Sequence, residues 1–182
     1  MVVSALFAVL TAIGAQLRIP FPVVPITLQT LMVILSGTIL GPYAGACSQI
    51  LYVVLGLLGL PVFAGGGGVH YLLHPTFGFL AGFIPGSWLA GYVVARKGAD
   101  GRVWSYIPAC IAGMAVIYLC GLVVLYLNLN FIAGKSISVH SVVKMGLIPF
   151  LPGDVLKIVV ISFLSSRIVP ILKNRGLIQK PQ

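Results

Sequence analysis

The sequence predicts an all-α membrane protein: a compact bundle of six transmembrane helices with both termini in the cytoplasm. Three observations predict it. Of 182 residues, 59% are hydrophobic and 7% charged, with a mean hydropathy of +1.13. Such a composition cannot supply the polar shell of a soluble domain. The apolar stretches recur at roughly the 20-residue length of one helical span, and they are continuous rather than alternating, which argues against a β-barrel. Finally, the basic residues divide unevenly between the breaks. Arg96, Lys97, Arg102, Arg167, Lys173, Arg175 and Lys180 fall on the side of the termini, and Arg18, Lys135 and Lys144 on the other. Basic residues collect on the cytoplasmic side of a membrane protein.

The spans are placed at about Val2–Leu17, Val24–Leu40, Tyr43–Leu60, Phe77–Ala95, Trp104–Leu127 and Pro152–Pro170. The first begins with "MVVSALFAVL", which has no basic leader, so it reads as a span and not a cleaved signal. "RIPFPVVP" carries three prolines and predicts a rigid, extended break. Gly41–Pro42 is a tight connection. "LPVFAGGGGVHYLLHPT" is a long glycine-rich third loop, and "RKGADGR" is the most polar break. "NLNFIAGKSISVHS" opens a fifth connection that runs to Pro149, with a short helix around Ser141–Ile148. The net charge of +9 suits topology and anionic lipid. It does not suit nucleic acid, because no basic run is interleaved with stacking aromatics. Cys47, Cys110 and Cys120 are scattered in apolar segments and read as small packing residues, not as a disulfide frame or metal cluster.

Charge inside the spans is rare. The chain has two acidic residues, Asp100 and Asp154. In "FLPGDVLKIVV", Pro152 suits a first helical position, Asp154 falls in the first turn near the positive end of the dipole, and Lys157 lies one turn on along the same face. A dipole-favoured surface pair accounts for this spacing. So does a binding site, because charges just inside a membrane often mark substrate routes. A carboxylate beside an ammonium offers one strong acceptor and one strong donor, which suits a small ligand with N–H and C=O groups such as a cyclic urea. Gln29, Gln49 and Tyr52 are the other polar residues near the outer face; the two glutamines read either as glue between helices or as ligand contacts. His70 and His74 stand at i,i+4 in the third loop, as pocket-lining groups rather than a metal pair. Ala64–Gly68 reads as a flexible loop or an anion nest and lacks the lysine and hydroxyl of a Walker A loop. Ala8 and Ala12 form a small-xxx-small face on the first span, for packing within the bundle or for docking another membrane subunit.

Taken in order and spacing, "ITLQT", "GPYAGACSQILYVVLGLLGLPVFAGGGG", "HPTFGFLAGF" and "LPGDVLK" resemble the BioY family, the biotin-binding S components of energy-coupling factor transporters. The similarity runs from about Ala5 to Lys157. It implies one S-component domain over residues 1–182, in a prokaryotic plasma membrane, which captures biotin in an outward-facing pocket. It further implies no ATP site and no cofactor, with a membrane coupling subunit and two cytoplasmic ATPases as partners. Asp154 and Lys157 fall where the family contacts biotin, His70 on its third-loop polar contact, and Ala8 and Ala12 on its docking motif. The stretch "HPTFG" departs from the family's Gly-Pro-Thr-Gly-Gly, with His74 and Phe77 in place of two glycines.

Rival readings differ in what they require. A thiamine-type vitamin would favour acids and aromatic stacking around its cation. An intramembrane enzyme would use Asp154 with His70 or His74 as acid and base. A purely structural subunit would bind no ligand.

Overall fold

The computed structural model describes residues 2–20, 23–97 and 101–174; Asp100, Arg175 and Lys180 lie outside the described residues. Among the described residues, seven α-helices run in chain order: α1 Val2–Gln16, α2 Gln29–Leu40, α3 Pro42–Leu57, α4 Phe77–Lys97, α5 Val103–Leu127, α6 Val139–Gly146 and α7 Leu151–Asn174. Six of them make the bundle, and α6 is the short helix of the fifth connection. Three helical stretches are long and apolar enough to cross a bilayer, namely Phe77–Lys97, Val103–Ile132 and Val139–Asn174. Helices α1, α2 and α3 are shorter. At about 1.5 Å per residue, the 12 residues of α2 fall well short of a hydrocarbon core about 30 Å thick.

The second helix starts five residues later than the apolar pattern predicts. The reason is local pairing. Arg18–Ile19 (β1) and Ile26–Thr27 (β2) form a small antiparallel ribbon, so the residues after Val24 are extended rather than helical. The hydroxyl of Thr27 then accepts the first free backbone N–H of α2, from Gln29, at 3.3 Å, and fixes where the helix begins. At the other end, Gly41 turns the chain with a φ of +86°, and Pro42 opens α3 directly. A proline there forfeits only an N–H that has no helical partner.

Buried hydroxyls and amides tie the short helices together. Gln49 Nε2 donates to Ser36 Oγ at 3.1 Å and Ser48 Oγ at 2.9 Å. Ser36 meets Ser87 at 2.9 Å, and Thr38 meets Ser165 at 2.9 Å. In an apolar setting each buried polar group needs such a partner, and these bonds join α2 to α3, α4 and α7. The main apolar core runs through all six bundle helices. A second cluster, built on Val24, Leu125, Leu129, Val142 and Phe150, fastens α6 and the ribbon segment over the end of α5. A π-helical turn, Asn128–Ile132, extends α5 beyond its expected end.

The third loop is more ordered than its glycines suggest. Phe63 and Gly66 form an antiparallel bridge, and Val69–Leu73 is a 3₁₀ turn. The N–H groups of Gly66 and Gly68 bond the carbonyls of Phe63 and Gly56. Those two amides are therefore taken, one by the loop and one by the end of α3. Asn128 Nδ2 donates to the Leu73 carbonyl at 2.6 Å and pins the 3₁₀ turn to the end of α5.

Candidate ligand-binding site

A cavity opens among the described residues, with about 580 Å³ of empty space including its open mouth. Phe79, Phe83, Tyr118, Phe150 and Tyr71 give it aromatic walls, and Thr27, Gln29, Thr30, Thr76 and Lys157 supply its polar atoms. The aromatic rings brace one another. Phe79 and Tyr118 meet edge to face at 6.1 Å, and Tyr118 leans on Phe150 at 6.4 Å.

Helix α7 begins at Leu151, with Asp154 in its first turn. The i,i+3 spacing brings Lys157 Nζ to 3.1 Å from Asp154 Oδ1, with both side chains 7% exposed. The pair is thus buried and not exposed on the helix surface. Two further helices complete the arrangement. Tyr118 of α5 donates its hydroxyl to Asp154 Oδ2, and Lys157 donates to Thr30 Oγ1 of α2 at 2.9 Å. A buried ion pair is costly unless its remaining valences are met, and here both carboxylate oxygens have donors. Lys157 lines the cavity, whereas Asp154 stands behind it, outside the lining. An ammonium has three N–H donors; Thr30 and Asp154 take two of them.

The other residues singled out in the sequence separate into two groups. Gln29 lines the cavity and bonds Tyr52 Oη at 2.6 Å. Tyr52 is buried behind it and donates to the Val62 carbonyl at 3.1 Å. Gln49 is fully buried in the hydroxyl network between helices, away from the cavity lining. His70 is exposed and also outside that lining; the loop residues that reach the cavity are Ala64, Tyr71 and Thr76. Ala8 is 2% exposed and belongs to the chain's own core, with Ala12 partly buried against it. Of the two alanines, Ala8 is thus taken up by bundle packing, and Ala12 keeps part of its surface. The outward positions of α1 are Leu6, Val9 and Ile13.

Tyr118 and Thr30 were not singled out in the sequence. Tyr118 had a readable signal: a lone phenol in the apolar run "GMAVIYLCG" must find an acceptor when buried. Thr30 had none, because a threonine one residue into a helix is common.

His74 follows the 3₁₀ turn, outside the cavity lining. The Thr76 N–H approaches its Nδ1 at 3.3 Å. The Thr76 hydroxyl, which also approaches Nδ1 at 2.7 Å, reaches on to Tyr71 Oη at 3.3 Å, and the imidazole stacks on Tyr71 at 4.6 Å. Burial, and then the neighbouring His70, push the His74 pKa below its ordinary value. The unfolded chain then binds more protons than the folded one at mildly acid pH. His74 therefore stabilises the fold fully above the unfolded value of about 6.5, and that contribution is lost as pH falls through its lowered folded value. Melting temperatures of the protein and of His74→Gln should differ most near pH 7.5 and converge near pH 5. A parallel fall in both would contradict this.

A helical membrane protein with one aromatic-walled cavity, and a buried lysine–aspartate pair at its wall, defines a small-molecule binding protein of the bilayer. The chain belongs to the BioY family, whose model matches residues 1–174. It is 36% identical over 182 residues to a probable biotin transporter of Lysinibacillus sphaericus, covering 100% of this chain and 92% of that one. It is 37% identical over 166 residues to the biotin transporter of Thermotoga maritima, covering 91% and 92%. Its fold is similar to a crystal structure of the S-component for biotin from an ECF-type ABC transporter, with a TM-score of 0.79, 25% identity, and coverage of 91% and 88%.

Proposed function

We propose that the protein is the biotin-capturing subunit of an ATP-driven vitamin uptake system, a binding protein and not an enzyme. The observation that carries this reading is the single N–H donor of Lys157 left over at an aromatic-walled cavity. Biotin is a fused, mostly apolar bicycle with a ureido head and an anionic tail. The head's oxygen would take the spare donor of Lys157, and the bicycle would lie against Phe79, Phe83 and Tyr118. Asp154 acts from behind, holding the ammonium in place together with Thr30. In this reading a positioning role replaces the sequence-based expectation that Asp154 itself accepts ureido N–H groups, because Asp154 stands outside the cavity lining; its two oxygens accept from Tyr118 and Lys157 and keep a lone pair each.

The same reading places both termini and the Arg96–Arg102 loop in the cytoplasm of a prokaryotic cell, with the cavity opening outward. A membrane coupling subunit and two cytoplasmic ATPases would supply the energy, since the chain carries no Walker A loop. The outward side of α1, around Val9 and Ile13, is one surface on which a coupling helix would lie.

Protein purified in detergent from cells grown on biotin should carry the vitamin. Mass spectrometry of the denatured sample is expected to find about one biotin per chain and no thiamine. Absence of biotin, with no saturable rebinding when it is added, would overturn the proposal.

A further inference from the structure

Gln29 is the first residue of α2, 5% exposed, and it lines the cavity. Its neighbours decide which way its amide faces. Tyr52 gives its hydroxyl proton to the Val62 carbonyl, which has no proton to offer, so towards Gln29 the phenol oxygen can only accept. The group 2.6 Å away must therefore be the NH₂. Thr27 Oγ1 accepts the backbone N–H of Gln29 at 3.3 Å, so its own proton goes to the side-chain carbonyl Oε1 at 3.0 Å. Two independent neighbours thus agree on one amide orientation and hold it.

A primary amide has two N–H donors and two acceptor lone pairs. Tyr52 uses one donor and Thr27 one lone pair. Among the described residues, one N–H and one lone pair remain, on a residue that borders the cavity. The adjoining residue, Thr30, holds Lys157, so the spare amide groups sit at the same wall as the spare ammonium proton.

We infer that Gln29 reads the ligand's adjacent C=O and N–H groups, its amide donating to the first and accepting from the second, and so sets selectivity for a cyclic ureide. This rests on the proposed binding of biotin and names the residue that tells a ureido head from other rings. Lys157 supplies attraction for any acceptor. Gln29 demands an acceptor and a donor side by side.

The test inverts the chemistry. Gln29→Glu replaces the donor with an acceptor and adds a negative charge. The fold can receive it, because the Thr27 hydroxyl already donates to this side chain and the Tyr52 hydroxyl can turn its proton from the Val62 carbonyl to the carboxylate. Biotin and 2-iminobiotin, whose ureido oxygen is exchanged for a protonated imino group at neutral pH, are titrated against the wild type, Gln29→Glu and Gln29→Met. The wild type should prefer biotin. In Gln29→Glu the preference ratio should move towards 2-iminobiotin by roughly 10²-fold, from one bond lost and one charge-assisted bond gained. Gln29→Met should lose roughly tenfold for biotin. A folded Gln29→Glu protein with the wild-type ratio would overturn the inference. If Gln29→Glu does not fold, wild-type biotin affinity in Gln29→Met would overturn it and a tenfold loss would support it. A wild-type protein that binds no biotin would instead sink the underlying reading, and with it this one, before any variant is compared.

Discussion

Lys157→Met is expected to weaken biotin binding by roughly 10²-fold. Hydrogen bonds to a charged group contribute about 1.5–3 kcal/mol, and about 1.4 kcal/mol is one decade of affinity. The variant removes the only cation on the cavity wall among the described residues. It also leaves Asp154 buried with Tyr118 as its remaining donor. Breaking one side of a buried pair costs about 3–5 kcal/mol, so the empty protein should melt at lower temperature too. Asp154→Asn separates the two effects. It leaves the ammonium in place but removes the charge that holds it, and affinity should again fall by roughly 10²-fold, now through a misplaced Lys157. Calorimetric titration and melting curves of both variants measure this. Lower stability with near-wild-type affinity in both would mean that the pair only braces α7, and that the ligand is bound elsewhere.

Gly91→Leu is expected to abolish the folded state. Helices α2 and α4 approach so closely at the Gly41–Pro42 junction that a Cβ on Gly91 would stand 2.6 Å from the Pro42 nitrogen and 2.7 Å from both the Gly37 oxygen and the Gly41 carbonyl carbon. All three are backbone atoms, which cannot rotate away as a side chain would. Overpacking a core costs about 1–3 kcal/mol when neighbours can shift, and here they cannot. Gly153→Ala is the matching control. Nothing lies within 4 Å of its Cβ position, and alanine favours a helix over glycine by about 1 kcal/mol, so stability should hold or rise. Monodisperse yield in detergent and the melting temperature distinguish them. A wild-type melting temperature in Gly91→Leu would refute the close approach of α2 and α4.

The helices were legible because each is an apolar run ended by glycine, proline or a basic cluster. The Asp154–Lys157 pair was legible because two charges in an apolar helix at i,i+3 share one face. What lay beyond the sequence was long-range. Tyr118 meets Asp154 across 36 positions and Thr30 meets Lys157 across 127; no local pattern encodes such partners. The start of α2 was misplaced because Val24–Leu28 is as apolar as a helix. It is taken by ribbon pairing, which depends on Arg18 and Ile19 lying opposite. Ala8 showed the limit of a small-residue motif. The same spacing serves a partner helix or the chain's own core, and here Ala8 lies in the core.

The Asp154–Lys157 pair acquires its meaning from three helices together. Helix α7 supplies the charges, α5 closes one side of the carboxylate with Tyr118, and α2 steers the ammonium with Thr30 and borders the cavity with Gln29. A crystal structure of the protein with biotin bound tests that arrangement most directly. The bicycle should lie against Phe79 and Phe83, with the ureido oxygen within hydrogen-bond distance of Lys157 Nζ. Biotin seated outside this cavity, or its tail carboxylate on Lys157 with the ureido head elsewhere, would contradict it.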